Sequence, residues 1–431
     1  MTTTLTPPAA PAPAPVAAST VPAVPVRLRT PIVLAVLTLL TAVMAWATRP
    51  GHSTVRISTD ADSIQIAPLA IPGPPAAWVL TVGVAVAAGL AFWYALGRRK
   101  VPTWLVGLAG LFAFLTVLVL ISSGKSQVVP ITGLLFGTLF LATPLVFGAL
   151  SGVVCERVGI VNIAIEAQLL FGAFAAAVVA SVAGSSYWGL IAAPLAGVAV
   201  AALLAWFSIT YQVNQIIVGV VLNVLVVGLT GFLFSTVLRE TPGLNDPMRL
   251  PVLPIPLLSE IPVIGPVLFR QNLLVYLMYA IVIGLQVMIF RSRWGLRLRA
   301  VGEHPKAADT VGIDVIRTRW RNTLLGGAIA GLGGAFFTVA SNLAFGKEMT
   351  AGKGFIALAA MILGRWSPKG AVAAALLFGL AGQMQGLMST LQVPVPSQFL
   401  AMIPYIVTIF AVAGFAGKVR APAAEGIPYV K

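Results

Sequence analysis

"CERVGIVNIAIEA" (residues 155–167) sets Glu156, Arg157, Asn162 and Glu166 between apolar runs long enough to enter lipid. A charged side chain at the centre of an inserted helix costs about 2.5–3.5 kcal/mol, so three of them cost roughly 8–10 kcal/mol if unpaired at mid-depth. Two arrangements remove that cost. Either 155–160 is a turn at the membrane surface, with Glu156 and Arg157 wet, or the helix breaks at Gly159 and the polar groups line a cavity. Neighbours at i and i+1 do not face one another on a helix, so Glu156 and Arg157 are expected to pair with other segments. Asn162 and Glu166, four residues apart, are expected to share a face turned into a bundle of helices.

The rest of the 431-residue chain supplies such a bundle: 58% of its residues are hydrophobic and 9% charged, against about 25% charged in soluble domains. Apolar runs at 32–48, 77–96, 103–121, 130–153, 160–183, 188–211, 216–238, 272–290, 323–344, 371–391 and 399–416, with a shorter one near 355–364, fit helices crossing a ~30 Å hydrocarbon core. A closed barrel would alternate instead. The expected fold is an all-α polytopic membrane protein of about 10–12 transmembrane helices with broken or re-entrant segments.

The net charge of +15 does not point to nucleic acid, because its cations are scattered between apolar runs rather than gathered on one face. They report topology. With the N-terminus inside and sides alternating, 19 of the 27 Lys and Arg fall inside and 8 outside, as the positive-inside tendency requires. The location expected is a membrane crossed many times, with the lipid bilayer as a partner and no nucleic acid. The single Cys155 excludes an internal disulfide and a cysteine-based metal cluster within one chain. Residues 1–26 are rich in Thr, Pro and Ala with no Lys or Arg before Arg27, which reads as a disordered cytoplasmic tail rather than a secretory leader.

The expected organisation is a tail over 1–30, an extension with about three crossings over 31–127, a core over 128–418 and a C-terminal cytoplasmic tail over 419–431. Within the core, prolines in the external loop 239–271 forbid a continuous helix and predict turns with a short surface-lying element. The internal segment 291–321 is basic, and "GEHPKAADTVG" inside it reads as one short helix, with Pro305 in its first turn and Gly312 as its stop. That helix suits a groove on another protein; a solvated loop is the alternative. Gly148 and Gly152, and Gly327 and Gly331, have the four-residue spacing of close helix packing. "ERVGIVNIAIEAQLLFGA" and "GRWSPKGAVAAALLFGLAG" echo each other, each interrupting apolar sequence at an arginine and resuming with Leu-Leu-Phe-Gly. Gln212, Asn214 and Gln215 lie near the inner end of a span and Asn223 one or two turns into it, placed either to cross-link helices or to meet a substrate.

No catalytic residue and no metal site is expected. "SSGKS" at 122–126 resembles the end of a phosphate-binding loop, but the earlier glycine would have to be Val119. His304 has only His52 besides it, on the opposite side. If the chain carries out active transport, the energy must come from a partner or an ion gradient.

From about residue 130 the chain resembles the permease subunits of bacterial ATP-binding-cassette importers for nucleosides, served by basic-membrane-protein-type lipoprotein receptors. The resemblance rests on "FGALSGVVCERVGIVNIAIEAQLLFGAF", "PVLPIPLLSEIPVIGPVLF", "WGLRLRAVGEHPKAADTVGI", "GGAIAGLGGAFF", "GKGFIALAAMILGRWSPKGAVAAALLFG" and the ending "APAAEGIPYVK", in that order. It implies a fold shared with branched-chain amino acid and ribose permeases, and import by alternating access. It also implies a second related permease subunit, a cytoplasmic ABC ATPase that uses ATP-Mg, and an external substrate-binding lipoprotein; this chain itself would bind no cofactor. Glu156, Arg157, Gly159, Asn162 and Glu166 match the family's segment near the path. Residues 295–313 match the segment that docks on the ATPase.

On that resemblance Arg157, Asn162, Glu166 and Asn223 are expected along the substrate path, with Phe171 and Phe174 available to stack on a nucleoside base. Gly302, Glu303, His304, Pro305, Lys306, Ala307, Ala308 and Asp309 are expected on the coupling helix. Two positions depart from the family pattern, Ala164 and Ala167, each standing where glycine is usual; the first ~125 residues have no counterpart in shorter members. The alternatives are an ABC permease for simple sugars or branched-chain amino acids, or an ion-coupled carrier in which Glu166 takes up the ion. An intramembrane enzyme would need a motif among Asp60, Asp62, Glu240, Asp246, Glu260 and Glu348, and none is recognisable.

Overall fold

A computed structural model describes residues 28–58, 65–393, 398–399, 402 and 420–430. Among the described residues ten helices are long and apolar enough to cross a membrane, in agreement with the all-α polytopic expectation. The run expected at 399–416 lies outside the described residues except for Phe399 and Met402.

The chain divides into two compact units. In the first, α1 (Arg29–Trp46), α2 (Gly73–Leu96) and α3 (Thr103–Ser122) pack around Leu34, Val84, Ala91, Leu105 and Ala109. Alanines at the contacts let these helices approach closely, and the Thr81 hydroxyl donates across to the Thr41 carbonyl at 3.1 Å.

The second unit is built on α4 (Ile131–Glu156) and α11 (Val315–Ala335). Over the most apolar 18 residues of each span, 89% are buried in α4 and 83% in Val315–Asn342, against 28% in α8 (Leu273–Arg291), so α4 and α11 form the centre of this unit. Around them stand α5 (Ile165–Val182), α6 (Ser186–Ala205), α7 (Gln215–Leu233) and α13 (Pro368–Thr390). Helix starts follow local chemistry: Asn214, Asn272, Ser292, Asp314 and Ser367 each accept a hydrogen bond from a first-turn amide. Both glycine pairs are packing devices. A Cβ on Gly148 would lie 2.7 Å from the Ala357 Cβ, and one on Gly327 2.5 Å from the Gly197 carbonyl.

Three helices are shorter than a span. α12 (Lys353–Leu363) has 11 residues, about 16 Å at 1.5 Å per residue, half of what a crossing needs. α9 (Arg293–Glu303) and α10 (Pro305–Thr310) divide the basic segment at His304, whose Nδ1 accepts from the Ala307 amide at 3.2 Å. Pro305 opens α10 and Gly312, at φ +81°, lies just beyond its end, where the sequence puts them.

The loop at 239–271 contains short helical turns at Pro242–Leu244, Leu258–Glu260 and Gly265–Phe269. Val252–Pro254 pairs antiparallel with Arg270–Asn272, Leu253 opposite Gln271. A second short pairing is parallel, Val55 opposite Val129.

Candidate functional site

Helix α4 ends at Glu156, the chain runs non-helically from Arg157 to Ala164, and α5 begins at Ile165. Gly159 permits the break by adopting φ +90°. The span expected at 160–183 therefore starts five residues late, and Asn162 lies before the helix instead of sharing a helical face with Glu166. This irregular stretch is no wet turn: Val158, Gly159, Ile160 and Asn162 are buried, and Glu156 is 2% exposed. Buried backbone that is not helical must find hydrogen bonds elsewhere. Helix α7 provides them. Gln215 Oε1 accepts from the Val161 amide at 2.7 Å, Asn223 Oδ1 accepts from the Ala167 amide at 2.9 Å, and Asn223 Nδ2 donates to the Ile163 carbonyl at 3.0 Å.

Asn162 and Gln168 are fully buried and bonded to each other twice, at 3.0 and 3.2 Å, and Asn162 Nδ2 also donates to Ser151 Oγ at 3.1 Å. Truncating Asn162 to alanine would leave the Gln168 amide without these partners, a cost of about 1–3 kcal/mol. The expected result is a lower thermal midpoint for Asn162→Ala, partly restored by adding Gln168→Leu, because removing both polar partners costs less than orphaning one. A midpoint for the double variant equal to the sum of the two single losses would contradict the pairing.

Glu166 holds the start of α12. Its Oε1 accepts from Thr350 Oγ1 at 2.6 Å and from the Gly352 amide at 2.8 Å, and its Oε2 accepts from the Gly354 amide at 2.6 Å. The N-cap residue of α12 is Gly352, which has no side chain to do this. A carboxylate from α5 supplies the cap instead.

Beyond the other end of α12, Trp366 Nε1 donates to Glu156 Oε2 at 2.6 Å, and Arg157 Nε donates to the Trp366 carbonyl at 2.8 Å. Glu156 and Arg157 do pair with another segment, and that segment is the second of the two echoing stretches. The Arg157 guanidinium also lies 5.6 Å from the centroid of Phe290.

The break carries α9 and α10. A Cβ on Gly302 would lie 2.1 Å from the Arg157 carbonyl, and Val158, Ile160, Leu298, Val301, Ala308 and Val315 form one apolar cluster. Glu303, His304, Lys306 and Ala307 remain exposed, Pro305 and Asp309 half-buried. The C-terminal residues 420–430 lie across the same place. The Ala424 amide donates to the Gly302 carbonyl at 2.9 Å, the Gly426 amide to Gly159 at 3.2 Å, and Arg319 Nη1 to the Ile427 carbonyl at 2.9 Å. Partial burial raises the Glu425 carboxyl above the usual carboxylate range, and its contact with Glu156 lowers it in part.

A cavity of about 580 Å3 opens between α4, the start of α12, and α13. Leu141, Leu145, Phe378, Gly379 and Gly382 give it apolar walls; Lys353, Gln385 and Ser389 are its polar side chains. Phe171 and Phe174 lie elsewhere: their rings stack at 6.3 Å and Phe174 meets Phe345 edge-on at 5.2 Å. Asn162 lies just before α5, Glu166 in its first turn and Asn223 within α7, and none of the three is among the cavity's lining residues. Sequence reasoning missed Gln168, Lys353, Trp366 and Arg319. A lone cation directly before an apolar helix, as in "GKGFIALAAM", was the available signal for Lys353.

Residues 134–412 match the family described as "Branched-chain amino acid transport system / permease component". The chain belongs to this permease family. It is similar to the nucleoside ABC transporter permease protein NupC of Lactococcus lactis subsp. cremoris, 39% identical over 307 residues that cover 68% of this chain and 95% of that protein. The guanosine ABC transporter permease protein NupQ of Bacillus subtilis is 37% identical over 306 residues, covering 68% of this chain and 95% of that protein. A putative glucose ABC transporter permease protein, TsgC13 of Haloferax volcanii, is 33% identical over 298 residues, with 64% and 89% covered. No solved structure matches. The permease is thus a multi-pass membrane protein, the transport subunit of an ABC importer and a member of a multi-subunit complex. Among the described residues no group of three or more His, Cys, Asp or Glu is placed to hold a metal ion.

Proposed function

We propose that this permease imports nucleosides by alternating access, driven by ATP-Mg hydrolysis on a cytoplasmic ABC ATPase, alongside a second related permease and an external substrate-binding lipoprotein. The observation that carries this reading is the 39% and 37% identity to permeases named for nucleosides and guanosine, over 95% of the length of each. Arg157, Asn162, Glu166 and Asn223 hold the helix ends that frame the path, Phe171 and Phe174, packed with Phe345, stand outside its wall, and the segment Gly302–Asp309 docks on the ATPase. Exposed Glu303, His304, Lys306 and Ala307 offer the contact, and a groove of about 430 Å3 lined by Asp309, Arg317, Trp320 and Tyr429 lies beside them. Residues 31–127 form an extension to a core over 128–418. A second reading, simple sugars, is favoured by the identity to TsgC13.

Cells lacking the gene should lose uptake of labelled guanosine and uridine while retaining that of glucose and leucine. Undiminished nucleoside uptake would overturn the reading. In the assembled complex, replacing Glu303 and His304 together by alanine should leave membrane insertion intact and reduce uptake and substrate-stimulated ATP hydrolysis at least tenfold; unchanged values for both would remove the docking assignment.

A further inference from the structure

Lys353 is a cation at the first residue of a half-length helix, on the wall of the 580 Å3 cavity, in a chain whose core crosses lipid. Its surroundings do not satisfy it. The nearest anion, Glu166, already accepts three hydrogen bonds from Thr350, Gly352 and Gly354. Among the described residues the Lys353 ammonium has no hydrogen-bond partner. It rests instead over the face of Phe337, 5.5 Å from the ring centroid. Membrane-embedded cations are expensive and persist where they serve a path or a ligand.

An ammonium carries three donors and no acceptor, so its natural ligand is an acceptor oxygen. The remainder of the wall says which kind of molecule. On α13, Gly386 has open space where a Cβ would lie and leaves room for a ring there, while Gly379 and Gly382 pack on Thr138, Leu141 and Ala142 of α4 and close the wall, with Phe378 also lining it. Gln385 and Ser389, on the same helix, add donors and acceptors suited to hydroxyl groups. The volume lies within the 300–1,000 Å3 range typical of small-molecule sites.

We propose that Lys353 is a specificity-determining residue of the transport path, donating to the ring carbonyl of an oxo-base nucleoside while Gln385 and Ser389 meet its ribose. This rests on the nucleoside reading above and deepens it. Guanosine, inosine and uridine present a carbonyl oxygen to such a donor. At the corresponding ring position adenosine presents an amino group, which cannot accept from an ammonium.

The test is uptake by the complete importer carrying Lys353→Met, Lys353→Arg or no change, supplied with labelled guanosine, uridine, adenosine or leucine. Lys353→Met should lose guanosine and uridine uptake at least tenfold more than adenosine uptake in a complex that still assembles, and Lys353→Arg should retain the preference. Parallel loss for all nucleosides, or no loss, overturns the inference, as does Lys353→Arg behaving like Lys353→Met. If Lys353→Met fails to assemble, Gln385→Leu decides: an unchanged KM for guanosine overturns the contact set. Leucine uptake lost with Lys353 would mean that the ammonium holds a carboxylate instead, and would overturn it too. An unaltered importer that takes up no nucleoside at all fails the underlying reading, a result separate from any effect of the variants.

Discussion

Replacing Gly331 by leucine is expected to abolish accumulation of folded permease. Three helices converge there. A Cβ on Gly331 would lie 2.2 Å from the Ala193 carbonyl oxygen and 2.9 Å from the Gly197 Cα, both on α6. From α5, a Cβ on Gly172 would lie 2.4 Å from the Gly331 carbonyl oxygen. The neighbours of a Gly331 side chain are α6 backbone, so no side chain can rotate away, and α6 must move off α11. Overpacking of a core commonly costs about 1–3 kcal/mol when side chains can adjust. Here they cannot, and the contact joins α5, α6 and α11, so the loss should reach several kcal/mol of a total stability of roughly 5–15 kcal/mol. Gly331→Ala should fall between, with a clearly lowered thermal midpoint in detergent. A Gly331→Leu protein that elutes as a single species and melts with the unaltered chain would show that these helices are not in contact as described.

The four-residue spacing made that junction legible in advance, because membrane helices lacking a hydrophobic drive toward one another depend on small residues for contact. Several helix starts carry a local signal that the apolar runs alone do not show: Asn214, Asn272, Ser292, Asp314 and Ser367 bond amides only two or three residues ahead, and α11 begins at Val315, eight residues before the apolar run at 323–344. What could not be read was where apolar sequence stops being helical. Hydropathy over 160–183 is indifferent to the irregular stretch 157–164, which is held by Gln215 and Asn223 from a helix more than fifty residues away. Nor does alternation of sides show that the half-length α12, with Lys353 at its first residue, begins beside Glu166. Arg319 belongs to the basic internal segment 291–321, yet it is 2% exposed and donates to Ile427, 108 residues later in the chain. Such long-range pairs leave no periodic trace.

Glu166 is the second position where a large effect is expected, and it separates two accounts of an acidic residue inside a membrane protein. If it caps α12, alanine there leaves the Gly352 and Gly354 amides and the Thr350 hydroxyl without their acceptor. Bonds to a charged group contribute about 1.5–3 kcal/mol each, so Glu166→Ala should cost on the order of 5 kcal/mol. The loss would reach the cavity as well, since Lys353 lies between the two capped glycines and Gly354 packs directly on α5, where a Cβ would come 2.5 Å from the Glu166 Cα. Glu166→Gln keeps one acceptor oxygen but turns an NH2 group toward donors, so its stability should fall between those of alanine and glutamate. If instead Glu166 carried a transported ion, glutamine would resemble its protonated form, leaving the fold intact and removing only the ion dependence of uptake. Thermal midpoints in the order glutamate, glutamine, alanine, together with uptake that follows ATP and not the proton or sodium gradient, are therefore the expected pair of results; a Glu166→Gln protein as stable as the unaltered permease would remove the capping role.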